Sequence, residues 1–152
     1  MKYLRKSNLR LSHYDYASYG WYFITICTKN QRPYFGKIQD EEMRLNWIGK
    51  IVEKQWLRLK KQYEYVNLDE FIIMPNHFHG ILIIENNRTD RSRPVPTKIK
   101  SVSELIGAFK TTSSKLIHQK GFSKFLWHRS FYEHIIRNEK SLYEIQKYIR
   151  YN

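Results

Sequence analysis

Phe71-Ile-Ile-Met-Pro-Asn-His-Phe-His-Gly-Ile-Leu-Ile-Ile84 is made of two apolar, β-branched runs broken by Pro75-Asn76. Such runs favour strands, and a Pro-Asn break favours a tight connection, so the stretch predicts a β-hairpin. Val66 and Leu68 extend its first arm upstream. His77 and His79 lie in the second arm. Side chains alternate along a strand, so both imidazoles project from one face. Two neutral imidazoles can hold a divalent ion, but they rarely suffice without a third ligand. Taken alone, a His-x-His on a strand is more often a surface or core accident.

Outward from the hairpin, Tyr22-Phe-Ile-Thr-Ile-Cys-Thr28 predicts a first strand, and Gln31-Arg32-Pro33 with Gly36 a turn. From Asp40 to about Tyr63 the pattern is helical: Trp47, Ile48, Ile51, Val52, Gln55, Trp56 and Leu59 recur at three and four. Residues 86–100 are polar, basic and aperiodic, and predict a flexible loop inside one domain spanning 1–152. Ser101-Val-Ser-Glu104 is a capping box opening a second helix, with Gly121 as its stop. Phe125 to Ile136 predicts a fourth strand, and Asn138 caps a last helix carrying Leu142, Ile145 and Ile149 toward the core. The order β-α-β-β-α-β plus a terminal helix predicts an α+β, ferredoxin-like (RRM-like) sandwich. Its antiparallel sheet carries helices on one face, and the C-terminal helix follows.

Composition narrows the partner. Twenty-seven Lys and Arg against fourteen Asp and Glu give +13, an excess that implies a polyanion, most simply nucleic acid. Twelve Tyr, eight Phe and four Trp among those cations suit single strands, whose unpaired bases stack on rings. Many of these rings must nonetheless be core. One cysteine, Cys27, excludes an intrachain disulfide and a Cys-rich zinc site, and its apolar strand predicts a buried structural thiol. The opening Met-Lys-Tyr-Leu-Arg-Lys-Ser has no apolar stretch behind it, so no secretory signal is expected. No run approaches the ~20 apolar residues of a membrane span, so no membrane partner and a cytoplasmic location are expected.

The last helix offers what the histidine pair lacks. At ~100° per residue, Tyr148 lies roughly 60° from Ile145, and Asn152 falls between them one turn on. Tyr148 and Asn152 are therefore neighbours on the edge of the buried stripe. The asparagine carbonyl can complete a His-His-Asn ligand set.

Five passages then carry a family likeness: Trp21-Tyr-Phe-Ile-Thr25, Met74-Pro-Asn-His-Phe-His-Gly80, Leu105-Ile-Gly-Ala-Phe-Lys110, Trp127-His-Arg-Ser-Phe-Tyr-Glu-His134 and Tyr148-Ile-Arg-Tyr-Asn152. The chain resembles the single-tyrosine HUH transposases, in particular the REP-associated tyrosine transposase group. The resemblance implies that His77, His79 and Asn152 are metal ligands and Tyr148 the nucleophile. It implies Mg²⁺ or Mn²⁺ as the ion, single-stranded or hairpin DNA as substrate, and a 5′-phosphotyrosine intermediate later resolved by strand transfer. The chemistry is coherent, since a phenol with a reference pKa of about 10 is a poor nucleophile until a cation polarises its target. Lys110, Trp127, Arg129 and the loop residues Arg88, Arg91 and Arg93 are candidate DNA contacts. The second amide ligand is Asn where the family also uses Gln, and the 86–100 loop is longer than usual. A homodimer is left open. Two other readings stay open: a non-catalytic domain binding single-stranded nucleic acid, and a metal-dependent phosphodiesterase that activates water.

Overall fold

A computed structural model describes residues 19–85 and 99–152. Its centre is a four-stranded antiparallel sheet of β1 (Gly20–Cys27), β4 (Val66–Met74), β5 (His77–Ile84) and β6 (Tyr132–Ile136), in the order β4-β5-β1-β6. The hairpin forms where the Pro75-Asn76 break predicts it, with Met74 opposite His77. Helices α1 (Trp47–Gln62) and α2 (Val102–Gln119) cover one face, on Tyr22, Ile24, Ile26, Phe78, Leu82 and Ile84. Helix α3 (Glu139–Arg150) lies on the other face, where Ile149, Ile145 and Leu142 meet Phe23, Ile81 and Ile83. This is the ferredoxin-like sandwich, with α3 added to the face that α1 and α2 leave open.

Alternation explains why β5 serves both layers. Phe78, Leu82 and Ile84 face α1 and α2, whereas His77, His79, Ile81 and Ile83 face α3. Gly80 lets α1 come close: a Cβ there would sit 2.7 Å from the Phe78 ring and 2.9 Å from that of Trp56.

Three boundaries differ from the sequence expectations. Residues 40–46 are not helical, because β2 (Gly36–Gln39) and β3 (Glu42–Leu45) form a separate hairpin. Its turn residues Asp40 and Glu41 take φ of 53° and 63°, a left-handed pair usually signalled by Asn-Gly, which this stretch lacks. Helix α1 then starts behind Asn46, whose side chain accepts from the Gly49 amide. The fourth strand is also shorter than 125–136. Residues 126–128 instead run beside 27–29, with a single bridge between Thr28 and Trp127. Of the loop expected at 86–100, the end is anchored: Ile99 packs on the core and the Lys100 amide donates to the Tyr65 hydroxyl.

The capping box at Ser101 and Glu104 forms with both bonds present. Asn138 caps α3 through the Ser141 amide. No helix among the described residues is long and apolar enough to cross a membrane.

Candidate active site

The strand pairing sets out the face beneath α3. Thr25 lies opposite His79 and Cys27 opposite His77 on one side, with Ile72 and Met74 on the other. Cys27 is half-buried on this face, not enclosed in the core as its strand pattern suggested.

His79 is 1% exposed. Its ring stacks on Phe23 at 5.6 Å between centroids, and its Nδ1 is 2.8 Å from the Thr25 hydroxyl. Among the described residues its other nitrogen, Nε2, is buried with no hydrogen-bond partner. An orphaned nitrogen in such a place is costly unless something occupies it. The His77 ring lies 4.7 Å away, with Nδ1 2.7 Å from the Asn76 side-chain oxygen. Asn152, carried by the end of α3, hydrogen-bonds the His77 ring.

Tyr148 completes the group. Its ring sits 5.4 Å from His79 and 6.2 Å from Phe23, both edge-on, and the residue is 38% exposed. His77, His79, Tyr148 and Asn152 therefore converge within one chain. Among the described residues no cluster of three or more His, Cys, Asp or Glu can hold a metal.

Burial keeps both imidazoles neutral. It lowers the His79 pKa from 6.5 to about 3, with the neighbouring His77 adding to the effect. Burial also lowers that of His77, opposed by the bond to Asn152. Neutral imidazoles are the form that binds metal. A stability consequence follows. In the unfolded chain this imidazole takes up a proton near pH 6.5, whereas folded His79 resists protonation down to about 3. Stability is thus full above 6.5 and declines as pH falls. For His79 alone the loss is about 2 kcal/mol between pH 6.5 and 5. Urea denaturation of chelator-treated protein at pH 7 and 5 measures it. Equal stability at both values would contradict a neutral, buried His79.

The remaining candidates lie elsewhere. Trp127 is 7% exposed on the opposite side of the sheet, packed on Phe35, Phe109 and Phe125 with its indole N–H donating to Ser113. Its ring is core, not a free stacking platform. Lys110 turns inward: its ammonium donates to the carbonyls of His128 and Arg129 at 2.6 and 3.4 Å, and burial lowers its pKa. Arg129 itself is exposed. Arg88, Arg91 and Arg93 fall outside the described residues.

Sequence reasoning gave no site role to Phe23, Thr25 or Asn76, and did not place Tyr132 beside them. Only the register of β1 against β5 and β6 reveals that Phe23, Thr25 and Tyr132 share the histidine face, while Asn76 reaches His77 from the turn. A groove of about 520 Å³ runs between β6 and α3, lined by Phe23, Tyr132, His134, Lys140 and Glu144 among others.

No family model matches the chain. Two solved structures share its fold. A structure of a REP-associated tyrosine transposase bound to a REP hairpin superposes with a TM-score of 0.60 at 20% identity, over 91% of this chain and 70% of that one. A Deinococcus radiodurans R1 protein assigned as a transposase superposes with a TM-score of 0.50 at 16% identity, over 99% and 96%. In sequence the chain is 39% identical over 157 residues to an uncharacterized protein of Haemophilus influenzae (strain ATCC 51907 / DSM 11121 / KW20 / Rd), covering 97% of this chain and 87% of the relative. The chain belongs to the family of that Haemophilus protein.

Proposed function

We propose that this protein is a single-stranded DNA transposase of the tyrosine HUH kind, cleaving and rejoining DNA through Tyr148. The observation that carries the reading is the meeting of Tyr148 with a pair of neutral imidazoles, one half-buried and one buried with its Nε2 orphaned among the described residues. Packing alone gives no reason to leave that nitrogen without a partner.

His77, His79 and the Asn152 amide fit a divalent ion, Mg²⁺ or Mn²⁺. All three are neutral nitrogen and oxygen donors, and two nitrogens are fewer than a zinc site usually takes. When bound, the ion polarises the scissile phosphate and offsets the charge that builds on it. The rest of the chemistry belongs to the chain. The Tyr148 oxygen forms a bond to phosphorus as the P–O3′ bond breaks, and the phenol proton is in balance with the one gained by the departing 3′-hydroxyl. One phosphodiester replaces another, so a second 3′-hydroxyl can reverse the step and join strands without an energy source. Phe23 and Ile149 dry the floor of the site, which strengthens the interactions within it. The groove past Tyr132 and His134 shares Phe23 with the site and offers a path for unpaired DNA, with Lys140 in its lining.

The test is incubation with labelled single-stranded and hairpin DNA in Mn²⁺, followed by a denaturing gel. Protein-linked label supports the proposal. Cleaved DNA with no linked protein would favour water as nucleophile, and binding without cleavage a non-catalytic domain. Binding itself is expected to prefer single strands or hairpins to plain duplex and to weaken with salt. At about 0.7 per neutralised phosphate, six contacts give a log–log slope of roughly −4. A flat titration would contradict the role given to the +13 charge.

A further inference from the structure

Helix α3 meets the sheet through an apolar stripe, and apolar contact is non-directional. It holds the helix down but does little to fix its rotation. Directional bonds must do that, and two of them come from one irregularity in β4. Gln146 Nε2 donates to Asp69 Oδ2 at 2.6 Å, and Arg150 pairs with Glu70 at 3.2 Å.

The irregularity is a bulge. Leu68 pairs with Leu82 and Phe71 with Gly80, so Asp69 and Glu70 together oppose Ile81 alone. The extra residue keeps Val66, Leu68, Phe71 and Ile73 in the same core while turning two consecutive carboxylates toward α3. On the helix, Gln146 and Arg150 stand one turn apart on one flank of the Ile145–Ile149 stripe. At ~100° per residue, Tyr148 and Asn152 occupy the other flank. Whatever sets the first flank also sets the second.

We propose that Asp69 and Glu70 are positioning residues: through Gln146 and Arg150 the bulge holds α3 at the rotation that brings Tyr148 to the histidines. The proposal rests on the reading of Tyr148 as nucleophile. A tyrosine hydroxyl stands roughly 9 Å from its helix axis, so a roll of about 20° carries it about 3 Å. A misplacement near 1 Å can already cost on the order of 100-fold in rate. Asp69 carries the larger share, because its bond is short, charge-assisted and partly buried. The Arg150–Glu70 pair is solvent-exposed and adds mainly direction.

The experiment compares wild type with Asp69→Ala, Gln146→Ala, Glu70→Arg and the swap Glu70→Arg/Arg150→Glu. Three quantities are read: the single-turnover rate of adduct formation at saturating DNA, DNA affinity, and amide hydrogen exchange along α3. Asp69→Ala and Gln146→Ala are each expected to slow adduct formation by about 100-fold with DNA affinity unchanged. Exchange should quicken in α3 and stay constant in β1 and β5. Glu70→Arg should slow the reaction less, and the swap should restore it. Because Gln146→Ala breaks the same bond from the helix, misfolding of one variant does not remove the test. Wild-type rates in both alanine variants, or unchanged α3 exchange, would overturn the proposal. Absence of adduct in wild type would overturn the nucleophile reading instead, and the exchange data would still decide whether the bulge sets the helix.

Discussion

Tyr148→Phe is expected to abolish the covalent DNA adduct while binding and fold persist. The substitution removes one oxygen and keeps the ring that packs edge-on against His79 and Phe23. Because Tyr148 is partly exposed, the stability change should stay within about 1 kcal/mol. Two other tyrosines are informative controls. Tyr151 is 77% exposed and makes none of the ring contacts of the site. Tyr132 shares the face but touches Phe23, not the histidines, and burial raises its pKa, making its phenolate harder to form. Tyr151→Phe and Tyr132→Phe should therefore retain the adduct. Adduct surviving in Tyr148→Phe and vanishing in either control would move the nucleophile to that residue.

His77→Ala should remove metal binding and adduct formation together. It leaves His79 as the sole imidazole and deprives Asn152 of its partner. Loss of an outer-sphere partner typically costs 10- to 100-fold in metal affinity, so loss of a ligand should exceed about 100-fold. His77 is only half-buried, and its truncation opens little void. His79→Ala is the harsher change, since it empties a place enclosed by Phe23, Thr25 and Tyr148 and should cost about 2–4 kcal/mol of stability as well. Mn²⁺ titration by calorimetry, with DNA binding measured in chelator as the control, separates the two losses. Wild-type Mn²⁺ affinity in His77→Ala would remove this pair from the metal site.

Much of the architecture was legible in one dimension because its signals are local. The β-branched runs around Pro75-Asn76 define the hairpin, and alternation within β5 places His77 and His79 on one face. The capping residues Ser101 and Asn138 start their helices through bonds to residues three positions on. The 3.6-residue period puts Tyr148 and Asn152 at the edge of a stripe. The β2–β3 hairpin was obscured because Asp40 and Glu41 carry no conventional turn signal and the helical period of α1 extended back through them.

By itself, then, the sequence determined the elements, their faces and the identity of the chemical groups, since backbone sterics and hydrophobic period act over a few residues. The tertiary structure decided which groups meet. Thr25 reaches His79 across 54 positions, and Gln146 reaches Asp69 across 77. It also sent α3 to the face opposite α1 and α2, over the histidines, while taking Trp127 into the core and Lys110 onto a backbone turn. These outcomes depend on strand register and on which apolar surface remains uncovered once α1 and α2 have packed. No window of sequence contains either quantity, because both arise from contacts between residues far apart in the chain.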